Sequence, residues 1–236
     1  MKLTESKKAP RRRRVTVIVV IAALLIAALG IWLAVKKMTR IHYASDFGFE
    51  DIKSAADADG DGIDDYTDIK NGALAYIATN PVYGSKYYNG GYPDDGQGVC
   101  TDVIWTAFAA AGYDLKAMVD RDIAEHPEAY PDIQKPDPNI DFRRVRNLKI
   151  FFERHAEVLP TDFRDRSEWQ PGDIVIFDPS HIGICSDKRN FRGVPYLIHH
   201  GNIEDGAVEA DDMWRMKVVG HYRWRVSDNI QQNDNS

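Results

Sequence analysis

The sequence predicts an α+β domain set behind a single transmembrane helix, and three observations predict it. An uncharged apolar run of 21 residues, Val15–Val35, lies near the start. Beyond it, helix-forming stretches come first and strand-forming stretches follow. Helices and strands segregated in this way, rather than alternating, give helices packed on an antiparallel sheet.

Seven Lys and Arg residues precede the apolar run and three follow it. A bilayer core takes about 20 apolar residues at a helical rise, and excess positive charge marks the cytoplasmic side. Residues 1–14 therefore read as a cytoplasmic basic tail, 15–35 as a transmembrane helix, and 36–55 as a linker to a domain outside the cytoplasm. The rival is a cleaved signal peptide, whose apolar region is typically about 7–15 residues long and ends at small residues. This run is longer and ends Trp32-Leu33-Ala34-Val35-Lys36.

The whole chain carries 30 Lys+Arg and 36 Asp+Glu, for a formal charge of −6. Residues 1–40 hold ten of the basic residues and one acid, which leaves 20 basic and 35 acidic residues beyond them, a charge of −15. That balance argues against nucleic acid, whose binding depends on neutralising phosphates. Two Cys residues do not make a disulfide scaffold. A Cys100–Cys185 bridge outside the cytoplasm is open, but it would disable either thiol as a nucleophile.

Residues 56–72 hold an acidic loop. Asp57, Asp59, Asp61, Asp65 and Asp68 occupy positions 1, 3, 5, 9 and 12, with Gly62 at position 6 and Ile63 at position 7. Calcium takes six to eight oxygens from loops of this spacing, including a backbone carbonyl from position 7. The loop departs from the helix–loop–helix calcium pattern in ending on Asp68 and in placing Ile63 at 7 rather than 8. It looks like the Asp-rich calcium loops of extracellular repeat proteins. A structural Ca²⁺ at Asp57, Asp59, Asp61, Ile63, Asp65 and Asp68 is the expectation, against a solvated acidic turn. No organic cofactor is expected.

Asp68 to Ala78 reads as a short helix, and Thr79 to Gln97 as a long Gly- and Tyr-rich loop of the kind that lines sites. Then Gly98-Val99-Cys100-Thr101-Asp102 runs into an Ala-rich helix former that Gly112 stops. Cys100 thus sits at a helix N-terminus, where the dipole and free N–H groups favour a thiolate. A small buried residue starting a core helix explains Cys100 equally well at this point. Leu115–Ala124 reads as a second helix. Asp141–Glu153 reads as a third, its polar face carrying Arg143, Arg144 and Arg146, a face more often solvated or ion-paired than substrate-binding.

Ile174–Phe177 and His181–Cys185 read as a hairpin across Asp178-Pro179-Ser180. Tyr196–His200 and His221–Val226 read as further strands, and residues 228–236 as a polar tail. His181, Gly183 and Cys185 share one strand face and Ile182 and Ile184 the other. If the isoleucines pack inward, His181 faces whatever helix covers the opposite side. Only one of His199 and His200 can share its face with a site.

Taken in order, Gly-Val-Cys100-Thr-Asp, Trp-Gln-Pro-Gly-Asp173, Ser-His181-Ile-Gly-Ile and Leu-Ile-His199 resemble the NlpC-type papain-like cysteine peptidases and amidases of bacterial cell walls. More closely, Gly-Val-Cys-Thr-Asp-Val-Ile-Trp, Asp-Pro-Asn-Ile-Asp-Phe-Arg-Arg-Val-Arg-Asn-Leu and Trp-Gln-Pro-Gly-Asp-Ile-Val resemble the bacterial family called domain of unknown function 1287. The resemblance implies a papain-like fold over residues 73–227. Cys100 would be the nucleophile, His181 the base and His199 the orienter. The sequence departs from the commoner Asp-Cys-Ser-Gly in having Val99 before Cys100 and Thr101-Asp102 after it. The expected activity is amide hydrolysis, with peptidoglycan stem peptides as partner and substrate. The alternatives are an inactive wall-binding module of the same fold and, from another class, a metal site at His181, His199, His200 and a carboxylate. The histidine spacing matches no helical zinc motif.

Overall fold

The computed structural model describes residues 11–202 and 204–225 and divides into two units, one up to Arg40 and one from Ile41 onward. The basic tail before residue 11 and the polar tail at 228–236 lie outside the described residues, as does Val226.

The first unit is helix α1 (Arg11–Thr39). Val15–Thr39, 25 residues of which the most apolar 18 have mean hydropathy 3.0, is long and apolar enough to cross a membrane, a property it shares with signal sequences. Its apolar side chains point outward all round, Leu24, Leu25 and Ile26 among them. A helix apolar on every face has no soluble way to bury itself alone.

The second unit packs helices α2 (Asp65–Ala78), α3 (Cys100–Ala110), α4 (Leu115–Glu125) and α5 (Val145–His155) with a sheet. Residues Val82–Tyr83 (β1) and Gln97–Gly98 (β2) form a two-residue parallel ladder that closes the loop expected at 79–97. The main sheet has strands β3 (Ala156–Val158), β4 (Ile174–Asp178), β5 (His181–Arg189), β6 (Pro195–His200), β7 (Ala207–Ala210) and β8 (Lys217–Trp224). They pair antiparallel in the order β3-β8-β4-β5-β6-β7. The architecture is a mixed helix and sheet domain, with β3 and β7 as short edge strands that carry no apolar run of their own.

The sheet buries two faces. Ile174, Ile176, Ile182, Ile184 and Ile198 face the helices, where they meet Val103, Ile104, Ala107 and Phe108 of α3. Each such side chain contributes roughly 1.5–3 kcal/mol of transfer free energy. Val175, Phe177, Cys185 and Leu197 face the other way, against Trp169 and Met213. The isoleucines do pack inward, as their alternation requires. The opposite face, however, is covered by the segments around Trp169 and Met213 rather than by a helix.

Two boundaries differ from the sequence reading. Residues 41–55, expected as linker, belong to the second unit. The backbone of His42 pairs with that of Arg189 at 2.9 and 2.7 Å, and the Ile52 N–H donates to the Gln170 side chain at 3.0 Å. The third helix begins at Val145 rather than Asp141, because Asp141–Arg143 is a tight turn that buries Arg143. The expected arginine cluster is therefore split: Arg143 goes inward, while Arg146 stays exposed beside Asp132 at 3.4 Å.

Candidate active site

Cys100 is the first residue of α3, and the helix start is built without a capping side chain at Val99. Asp102 supplies what Val99 cannot, its carboxylate accepting the Val99 N–H at 2.8 Å. The same carboxylate accepts Trp105 Nε1–H at 2.8 Å and both Nε and Nη2 of Arg143 at 2.8 Å each. Four donors thus saturate a fully buried carboxylate. Arg143 also donates to the Lys86 carbonyl at 3.1 Å and lies over the Tyr88 ring at 5.1 Å. The bidentate pair fastens the helix start to the segment around Arg143.

Gly98 allows this start to approach α2. A Cβ there would stand 2.2 Å from the Tyr76 hydroxyl. Tyr76 in turn meets His200 Nδ1 at 2.9 Å. His200 therefore faces the helices, whereas His199 lies on the other side of the sheet, as alternation along β6 demands.

Cys100 is partly exposed, yet its sulfur lies in dense surroundings. Burial pushes the thiol up to about 11, and the Asp102 charge adds to that; the backbone N–H groups of Ile182, Thr101 and Cys100 itself act the other way. The expectation of a thiol lowered by the helix start is thus corrected: desolvation outweighs the N–H groups. The Ile182 N–H is the informative contact, because Ile182 follows His181. The sulfur thus lies at the His181 end of β5, on the helix-covered face with Ile182, while the His181 ring meets His199 on the other face.

His181 Nε2 meets His199 Nδ1 at 2.8 Å, and His199 Nε2 meets Asp212 Oδ2 at 3.2 Å. The proton positions follow from the chain of partners. A carboxylate only accepts, so His199 Nε2 carries hydrogen. Burial holds His199 below its ordinary value, despite the opposing pull of Asp212, so the ring is neutral and its Nδ1 is bare. His181 Nε2–H must then be the donor to it, which leaves His181 Nδ1 as a lone pair. His181 is itself held down to about 4, first by burial and then by its neighbours His199 and His200, which disfavour a second positive ring beside them. The arrangement sets the tautomer of a neutral base.

Sequence reasoning missed Asp212, Tyr76 and Arg143 as members of this constellation. Asp212 is one of many acids, with nothing in its spacing to mark it. The three histidines do not converge on one point, since His181 and His199 spend ring nitrogens on each other and His200 faces α2. Cys100 and Cys185 are both free, Cys185 fully buried on the far side of the sheet. Beside the helix start lies a cleft of about 350 Å³ lined by Tyr76, Pro81, Pro93, Gln97, Asp102 and Trp105 among others. The Gly/Tyr loop thus does border the start of α3.

Of the acidic-loop residues, the structure brings Asp57, Asp59 and Asp61 together, with carboxylate oxygens within 4.8 Å of one another. It turns Asp65 elsewhere. Asp65 accepts the Ala58 N–H at 2.9 Å and the Tyr113 hydroxyl, which occupies both its oxygens. Asp68 stands in the first turn of α2 and is buried.

Residues 70–224 match the family described as Domain of unknown function (DUF1287). The chain is 39% identical over 169 residues to a protein of Escherichia coli (strain K12) described as "Uncharacterized protein YijF", over 67% of this chain and 81% of that one. No solved structure matches.

Proposed function

The chain belongs to the DUF1287 family, and from its site we propose that it is a membrane-anchored cysteine hydrolase of papain-like, NlpC type that cleaves amide bonds in peptidoglycan stem peptides outside the cytoplasm. The observation that carries this reading is the Ile182 N–H at the Cys100 sulfur, one residue beyond a histidine whose free nitrogen is fixed by His199 and Asp212. The resting pair is a neutral thiol and a neutral imidazole. His181 is the first residue of β5, so its ring reaches the thiol round the strand end, and Nδ1 takes the thiol proton as the sulfur attacks the carbonyl carbon. The Ile182 N–H stabilises charge on the sulfur, and the Cys100 N–H at the helix start holds the oxyanion. His181 then gives its proton to the leaving amine, and water clears the thioester. The test is incubation of the purified full-length chain, in detergent, with peptidoglycan, followed by mass analysis of released fragments. Fragments with newly exposed peptide termini support the reading, and an unchanged wall removes it.

The acid limb of the pH profile follows from His181. The base works only when neutral, and burial holds the ring down to about 4 rather than the usual 6.5. Activity should persist through about pH 5 to 6 and fall as the pH drops through about 4. Initial rates of wall-peptide release across that range check it; a limb centred on an ordinary histidine removes His181 as base.

The anchor is part of the same proposal. Full-length protein should remain with membranes through a high-salt wash, and protease added to the outer face should digest the domain after Arg40. Soluble protein beginning near residue 36 means cleavage instead.

A second reading is favoured by the burial that pushes Cys100 up to about 11: an inactive module of the same fold that binds wall peptides. It predicts retention on peptidoglycan without fragment release, in wild type and Cys100→Ala alike.

A further inference from the structure

The acidic loop at 57–68 lies ahead of the 70–224 family match and takes no part in the Cys100 site. Its backbone is wound round its own carboxylates. Asp57 accepts the N–H groups of Gly60 at 2.8 Å, Asp61 at 3.1 Å and Gly62 at 2.9 Å. Asp61 accepts the Ile63 N–H at 2.8 Å. These bonds hold Asp57, Asp59 and Asp61 together at the surface, where like charges repel.

A fourth carboxylate comes from a different element. Asp68 is 6% exposed, and its Oδ2 is buried with no hydrogen-bond partner among the described residues. A buried carboxylate oxygen without a partner is strongly disfavoured unless something compensates it. It stands beside the cluster, outside the 4.8 Å group of Asp57, Asp59 and Asp61, and the charges of Asp61 and Asp59 are the strongest that act on it. The four strongest charges acting on it are all carboxylates, Asp61, Asp59, Asp64 and Asp65. A cation would supply the compensation.

We propose that this loop binds one calcium ion through Asp57, Asp59, Asp61, the Ile63 carbonyl and Asp68, with Asp65 as a positioning residue rather than a ligand. Oxygen donors of irregular arrangement suit calcium better than magnesium, which demands a near-ideal octahedron and keeps its waters. The ion would tie the loop to the first turn of α2. The loop also backs onto the far end of α3. Gly112, at φ 81°, ends that helix so close to Asp59 that a Cβ would stand 3.0 Å from the Asp59 Cβ. Tyr113, the next residue, holds Asp65. The ion therefore braces α2 against α3, the helix that carries Cys100, and this role stands whether or not Cys100 is a nucleophile.

The test uses the full-length chain in detergent, stripped of metal with chelator, with calcium or magnesium chloride titrated in while heat released and melting temperature are recorded. Calcium should bind at one ion per chain and raise the melting temperature, because a ligand of the native state stabilises it by mass action. Magnesium at equal concentration should do much less. Asp61→Asn and Asp68→Asn each remove a repelling charge, so without calcium both should melt no lower than wild type, while their calcium affinity falls on the order of tenfold or more. Asp65→Asn should lower the melting temperature with and without calcium and leave affinity within a few-fold, since it loses the Tyr113 bond rather than a ligand. Absence of saturable calcium binding to the wild type overturns the proposal. So does wild-type affinity in Asp68→Asn. Loss of wall digestion with calcium binding intact counts against the hydrolase reading alone.

Discussion

Cys100→Ala is expected to abolish release of peptides from peptidoglycan, a loss of about 10⁴-fold or more, while leaving the fold intact. The side chain is small and partly exposed, so its removal costs little packing, whereas acyl transfer has no other thiol at the helix start, and the Thr101 hydroxyl is buried and bonded to the Arg143 carbonyl. His181→Ala should lose nearly as much, because the thiol, raised by burial, then has no base. His199→Ala should be milder, since nucleophile and base remain. Asp212→Asn is more diagnostic. An amide can donate to His199 Nε2 and so drive the proton to His199 Nδ1, which in turn leaves His181 with hydrogen on Nδ1, the wrong nitrogen. Its loss should exceed that of His199→Ala if the tautomer argument holds. His200→Ala should lower stability more than rate, because His200 bonds Tyr76 on the other face of the sheet. Undiminished digestion by Cys100→Ala removes Cys100 as the nucleophile, whereas retention on the wall without digestion, in wild type and variant alike, supports a binding module.

Asp102→Ala should unfold the domain more readily by about 3–5 kcal/mol, the cost of stranding one member of a buried ion pair. Arg143 keeps only the Lys86 carbonyl and the Tyr88 ring, with its side chain 2% exposed. The Val99 and Trp105 N–H groups lose their acceptor as well. Asp102→Asn should be nearly as costly, because its amide group points donors at the guanidinium. Replacing the pair together, Asp102→Leu with Arg143→Met, should recover much of the loss, since an apolar pair of similar volume needs no desolvated charge. Denaturant midpoints of wild type, Asp102→Leu, Arg143→Met and the double variant close this cycle. A single-variant loss under about 1 kcal/mol would mean that the pair is solvated.

Much of the helical half was legible in the sequence. The Ala-rich run after Cys100 and the Gly112 stop fixed α3 because propensity and a left-handed C-terminal glycine act within a few residues. The β4–β5 hairpin was legible for the same reason, in two apolar runs and a turn. β3 and β7 were not, because a three- or four-residue edge strand is defined by its neighbour rather than by its own composition. The arginine face of the third helix misled, since helical periodicity cannot report that one turn winds tighter and buries Arg143.

The site divides along the same line. The sequence by itself determined the apolar α1 span, the position of Cys100 on its helix, the opposite facing of His199 and His200, and the spacing of Asp57, Asp59 and Asp61. All of these follow from short-range periodicity. Only the tertiary structure decided that Asp102 answers Arg143 across 41 residues, that Asp212 sets the tautomer of His181 through His199, that Asp65 turns to Tyr113, and that burial raises the thiol the helix start alone would lower. Charge and hydrogen-bond partners buried away from water are chosen by what the packed chain brings within about 3 Å, and no local pattern encodes that distance.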